Sequence, residues 1–155
     1  MTVPDAITHE VIYPQPIEKV WAALTDADQL AAWLMDTDFV PRQGQTFTFF
    51  EHEPWPDGQF IDVQCRVVAC DPPRRLAYTW ASLPKLGETL VEWELETVPQ
   101  GTKVRLTHSG FARHGDAGRE AFDILENGWG GLLREELAEF LRSGARAARP
   151  TSTRA

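Results

Sequence analysis

The amino-acid sequence predicts an α+β domain in which a curved antiparallel sheet closes around one long C-terminal helix. Three observations carry this. Leu76, Tyr78 and Trp80, then Val91, Trp93 and Leu95, then Val104, Leu106 and His108 alternate with other residues, and a period of two puts each trio on one face of a sheet. A single long helical stretch follows, with Phe122, Trp129, Leu133 and Phe140 along one stripe at a period near 3.6. The connections between successive strands are short, which makes neighbours antiparallel.

Each element has its own signal. Residues 7–13 form a β-rich run with the odd positions inward, ended by Pro14 and Pro16. Pro16 suits the first turn of a helix, where its missing N–H costs nothing. Ile17, Val20, Trp21 and Leu24 then give the i, i+3, i+4, i+7 spacing of a short amphipathic helix. Asp26 and Gln29 read as a capping box that opens a second helix through Leu30, Trp33 and Leu34. From residue 46 the period is two: Phe47 and Phe49, then Ile61, Val63, Cys65 and Val67, with a turn at Glu53–Gly58 between them. Strands follow over 75–81, 89–97 and 102–108, separated by loops at Pro84 and Gly87 and at Pro99-Gln100-Gly101. A helix over about 117–142 would be ~39 Å long. Gly128, Gly130 and Gly131 interrupt it at a cost of about 2–3 kcal/mol against alanines, which points to a bend or a close backbone contact there.

Composition bounds the function. The chain has 155 residues, 43% of them hydrophobic, which suits one domain with a sizeable core. The expected division is a folded domain over 1–142 and a disordered tail over 143–155, where three arginines occur without an acid. The net charge of −8 and a pI near 4.9 argue against nucleic acid and anionic membrane as partners. No run approaches the ~20 apolar residues of a membrane span, and the first residues lack the basic start and apolar core of a secretory signal. A cytoplasmic protein is expected. The two cysteines, Cys65 and Cys70, would stand about 16 Å apart on an extended strand, beyond the ~7 Å reach of a disulfide, so both are expected as free thiols.

The segments Asp71-Pro72-Pro73-Arg74-Arg75-Leu76-Ala77-Tyr78-Thr79-Trp80, Leu106-Thr107-His108-Ser109-Gly110-Phe111 and Gly128-Trp129 ahead of Leu132-Leu133 resemble the START/birch-pollen-allergen superfamily. Within it they are similar to the branch named after the activator of the heat-shock-protein ATPase. Pro16-Ile17-Glu18-Lys19-Val20-Trp21 and Leu30-Ala31-Ala32-Trp33 fit the same pattern. The resemblance covers about residues 7–142 and implies the helix-grip fold, with two short helices after the first strand. One departure is Cys65, where the family strand usually has glycine. The superfamily holds lipid and hormone carriers, polyketide cyclases, antibiotic-sequestering proteins and co-chaperone modules, so fold alone does not decide function.

Large aromatics on both surfaces would hold sheet and helix apart and leave room for a small apolar ligand. The expected pocket is lined by Phe47, Phe49, Tyr78, Trp80, Trp93, Trp129 and Leu133, with His108 and Glu126 as its polar groups. With Phe122 at zero, Trp129 falls at about −20°, Leu133 at about +20°, Glu126 at about +40° and Glu136 at about −40°. Glu126 paired with His108 would make an acid–base couple, while a glutamate at the stripe's edge is equally at home snorkelling. His108 itself reads first as a half-buried imidazole bonded to a backbone carbonyl and second as an orienting donor for a ligand. The Trp55-Pro56 loop reads as a proline-fixed turn or as a flap over the cavity mouth.

His52 between Glu51 and Glu53, and His108, His114 and Asp116, lack the spacing of a metal site. No cofactor is expected, since no phosphate-cradling loop, dinucleotide fingerprint or Gly-x-Ser-x-Gly is present. The expected function is binding of a small hydrophobic, aromatic or polycyclic molecule by a monomer or homodimer. The alternatives are a cyclase or hydrolase using Glu126, His108 or Tyr78, and a chaperone-interaction module.

Overall fold

Alternation, helical spacing and turn residues resolve into a single sheet and a long helix in a computed structural model that describes residues 4–51 and 54–144. The strands are β1 (Ala6–Tyr13), β2 (Asp36–Thr37), β3 (Thr46–Phe50), β4 (Val63–Asp71), β5 (Arg75–Ser82), β6 (Leu86–Val98) and β7 (Gly101–Ser109). They form one sheet in the order β1-β7-β6-β5-β4-β3-β2, and every pair is antiparallel. Helices α1 (Ile17–Thr25) and α2 (Ala27–Trp33) follow β1. After a 3-10 turn at Ala112–His114, the long helix runs as α3 (Gly115–Gly131), a π-helical turn (Leu132–Glu136) and α4 (Leu137–Ser143). The chain is thus an α+β helix-grip fold, as the sequence predicts.

Local chemistry explains the boundaries. Pro16 takes the cap position rather than the first turn: its extended backbone precedes α1, and its carbonyl accepts from Lys19 N at 3.0 Å and Val20 N at 3.2 Å. Asp26 caps α2 by position, but its side chain makes no capping bond, so the expected capping box does not form. Its backbone carbonyl accepts from Leu30 N at 2.9 Å instead. At the β6–β7 turn Gly101 has φ of +140°, and a Cβ there would lie 2.1 Å from the Tyr13 carbonyl. Only glycine fits beneath the crossing end of β1. Strand β2 is absent from the sequence reading because two residues carry no period; Thr37 Oγ1 ties it to the Thr48 carbonyl at 2.7 Å.

The inward faces of the strands meet the helix. Ile7, Tyr13, Phe47, Phe49, Val63, Leu76, Val91, Leu95, Val104 and Leu106 are all buried, as are Trp129, Leu133, Leu137 and Leu141 on the helix. In a straight α-helix each four-residue step advances by ~40°, so those last four would spread over ~120°. A π turn absorbs about one residue, or ~100°, and returns them to one face. The break is bonded from β1. Leu137 N donates to Leu132 O, five residues back, and the Leu133 carbonyl, its α-helical acceptor, takes the Tyr13 hydroxyl at 2.6 Å. The glycine-rich stretch therefore does mark a break in the helix. It also provides a close contact, since His9 Cε1 lies 3.4 Å from where a Gly130 Cβ would be.

Cys65 and Cys70 are free thiols, Cys65 buried in β4. A β-bulge between Val67 and Ala69 separates them. His52, Glu53 and the tail beyond Gly144 lie outside the described residues.

Candidate functional site

Aromatic side chains from five elements converge between sheet and helix. Phe47 on β3 packs edge-on against Tyr78 at 5.3 Å between centroids, and Phe49 lies 5.7 Å from Trp80. Trp80 continues to Trp129 on α3 at 5.4 Å, Trp129 to Trp93 at 5.6 Å, and Trp93 to Trp33 on α2 at 6.2 Å. Each such edge-to-face or tilted pair adds about 0.5–1.5 kcal/mol beyond its buried area. None of these rings is more than 3% exposed. The seven apolar residues expected around a pocket, Leu133 included, thus belong to one core cluster, in which the rings interlock with one another.

His108 is fully buried in this cluster, and its bonds fix its chemistry. The Trp129 indole, which can only donate, gives its Nε1–H to His108 Nδ1 at 3.1 Å. The imidazole proton therefore sits on Nε2 and is donated to Thr89 Oγ1 at 2.7 Å. Thr89 passes its own hydroxyl proton to the Trp80 carbonyl at 2.8 Å. The ring is neutral, with both nitrogens engaged, and desolvation lowers its pKa from 6.5 to about 3. The expected backbone carbonyl is replaced by a threonine and a tryptophan.

Glu126 does not join His108. Its carboxylate Oε2 lies 3.7 Å from His9 Nε2, and its side chain is 44% exposed. The reason is the phase of the helix. Gly118, Ala121 and Trp129 are the buried residues of α3, and their mean direction lies about 50° from Phe122, so Glu126 falls about 90° off the inward axis. The acid–base couple is therefore not assembled. The partner of Glu126 is a residue the sequence reading passed over, although His9 occupies an inward odd position of β1. Its Nε2 donates to the Glu126 carbonyl at 3.2 Å, and its Nδ1 accepts from Arg134 at 3.3 Å, which stitches β1 to the helix.

Tyr78 accepts a hydrogen bond from Trp93 Nε1 at 3.0 Å, and burial pushes its phenol pKa well above the ordinary 10. His114 donates its Nε2–H to the Glu88 carbonyl at 2.9 Å. Among the described residues no three His, Cys, Asp or Glu side chains are grouped to hold a metal ion.

One space for a ligand lies at the edge of the aromatic cluster. A cleft of about 300 Å³ opens between the loop after β3, the ends of β4 and β5, and α3. The loop contributes Pro54, Trp55 and Pro56; the sheet contributes Val63, Trp80 and Ser82. Ile124 and Leu125 form the helix side, and Glu51 is the one charged residue on the lining among the described residues. Of the nine residues expected to bind a ligand, Trp80 alone is on this lining. The loop is clasped from the β5–β6 connection: Lys85 forms an ion pair with Asp57 and stands 5.9 Å from the Trp55 ring centroid. That bond to Lys85 holds the Asp57 carboxyl below its usual pKa.

Trp80 differs from the other buried tryptophans. Trp33 donates to the Ala23 carbonyl at 2.8 Å, Trp93 to Tyr78 and Trp129 to His108. The Trp80 indole N–H is buried with no hydrogen-bond partner among the described residues.

Residues 14–142 match the family model described as Activator of Hsp90 ATPase homolog 1-like protein. A crystal structure of a Mesorhizobium loti protein is 30% identical, covers 88% of this chain and 96% of its own, and superposes with a TM-score of 0.75. A Bacillus halodurans protein solved in solution is 27% identical over 91% of this chain and 99% of its own, with a TM-score of 0.72. The Aha1 dimer from Colwellia psychrerythraea is 25% identical over 90% of this chain and 97% of its own, at 0.69. No curated protein sequence matches the chain.

Proposed function

The chain belongs to the Activator of Hsp90 ATPase homolog 1-like family, and from that premise we propose that it binds a small aromatic or bicyclic molecule in the cleft under the Trp55 loop. The observation that carries the reading is the composition of that cleft. Its walls are Trp55, Trp80, Val63, Ile124 and Leu125 with two prolines, and its volume of about 300 Å³ lies at the lower end of small-molecule sites, about 300–1,000 Å³. Apolar walls around a cleft that size favour one ordered apolar guest by removing its surface from water.

The aromatic cluster beneath is the floor of this site rather than its interior. Trp80 is the contact between the two, with Phe49 and Trp129 packed behind it. Binding without chemistry is the reading favoured over a cyclase or hydrolase. His108 has both nitrogens engaged, Glu126 faces His9, and Tyr78 is a buried, neutral phenol. A general acid or base must reach its substrate's proton, and none of the three lines the cleft.

The test is titration with the neutral fluorophore phenylnaphthylamine. Emission should rise on binding to the native protein. Ile124→Asp, which puts a charge on the helix wall, should weaken binding at least roughly ten-fold. Ile12→Asp, at another exposed apolar position, should not. Equal affinity in both variants would remove the cleft as the site.

A further inference from the structure

The Trp80 indole gives the cleft a chemical preference. Trp80 is 3% exposed, forms part of the cleft wall, and carries an N–H with no acceptor among the described residues. An indole N–H can donate and cannot accept, and buried donors without partners are rare in native structures because each forfeits its hydration. Trp33, Trp93 and Trp129 meet this requirement with acceptors inside the fold. We infer that the cleft takes neutral aromatic molecules bearing a carbonyl oxygen, a ketone, quinone or lactone, and that Trp80 Nε1–H, itself closed to solvent at the cleft wall, donates to that oxygen once the guest has displaced the wall around the indole.

The charge on the lining narrows the class. Among the described residues no Lys, Arg or His lines the cleft, and Glu51 does. A carboxylate or phosphate ligand would be desolvated beside the Glu51 carboxylate, which repels it. Lys85, which stands beside the Trp55 ring, is already paired with Asp57. A carbonyl oxygen accepts a hydrogen bond without carrying a charge. Size points the same way: a dry cavity of about 150 Å³ holds benzene, so about 300 Å³ suits two fused rings with a small substituent.

This inference rests on the cleft being the binding site, and two probes of equal shape separate the two claims. The ketone acetylnaphthalene and its hydrocarbon counterpart isopropenylnaphthalene differ at the acceptor alone. With nitrogen-labelled native protein the ketone should bind roughly ten-fold more tightly and move one indole N–H resonance strongly downfield. The alkene should leave that resonance nearly in place. Trp80→Phe keeps an apolar wall and should erase both the preference and the shifting resonance; the native-protein comparison stands even if that variant folds poorly. Equal affinities with every indole resonance unmoved would overturn the role of Trp80 and leave the cleft intact as a site. Binding of neither probe would overturn the carbonyl preference and the cleft together.

Discussion

His108 is a histidine whose environment removes it from acid–base work. Trp129 donates to one nitrogen and Thr89 accepts from the other, and protonation would have to break the first of these bonds in a desolvated site. The consequence is a dependence of stability on acidity. In the folded chain the group titrates at about 3 against an ordinary 6.5. The unfolded chain therefore takes up a proton that the folded chain refuses as pH falls below about 6.5. The full contribution is present above that value and drains away as pH falls toward 3. His108→Gln should remove a slope of about 1.4 kcal/mol per pH unit from the acid limb of the urea-unfolding profile. Parallel profiles for the two proteins would mean that His108 is protonated in the native state. The alternation of Val104, Leu106 and His108 told which way the ring faces; its partners come from β6 and α3 and could not be read from its neighbours in the chain.

At the scale of the element, the long helix shows what three glycines do in one turn. Gly128 and Gly131 face open space, and neither has a positive φ, whereas a Cβ at Gly130 would meet His9 and Arg134 at 3.4 Å. Gly128→Ala should raise stability by about 0.5–1 kcal/mol through lower unfolded-state entropy and better helix propensity. Gly130→Ala should gain less, since the His9 ring must give way. Urea unfolding of the two variants measures the difference; an equal gain at both positions would mean that His9 does not pack against the helix. The pattern of Phe122, Trp129 and Leu133 was enough to place a helix here and to set its ends within two residues. It misjudged the phase, because Phe122 lies at the margin of the buried stripe, and it could not show the π turn. That turn depends on Tyr13, some 120 positions away, offering its hydroxyl to the Leu133 carbonyl.

Across the whole molecule, the sheet grips the helix through one aromatic cluster, with the Trp55 loop at its edge. The loop is held by Lys85, which reaches Asp57 and the Trp55 ring together. Such an exposed clasp contributes little to global stability, yet it holds Trp55, which forms part of the cleft wall. Lys85→Met should therefore speed both association and dissociation of phenylnaphthylamine in stopped-flow measurements, while the melting temperature moves by only a few degrees. A large fall in melting temperature with unchanged rates would make the clasp part of the core. Strand alternation in β5, β6 and β7, the helix periods and the turn residues already specified the element order and the inward faces, because these are properties of residues close together in the chain. The gap expected between large rings is another matter. Phe47, Tyr78, Trp80, Trp93 and Trp129 all face inward as their spacing requires, and size alone argued that they would leave a void. Edge-to-face packing among strands and helix brings these rings into contact with one another, and a cleft lies beside Trp80 at their margin. Which rings interlock, which indole is left without an acceptor and which glutamate meets which histidine are relations between distant residues. They depend on angles of packing that no local period encodes, so tertiary structure alone decided them.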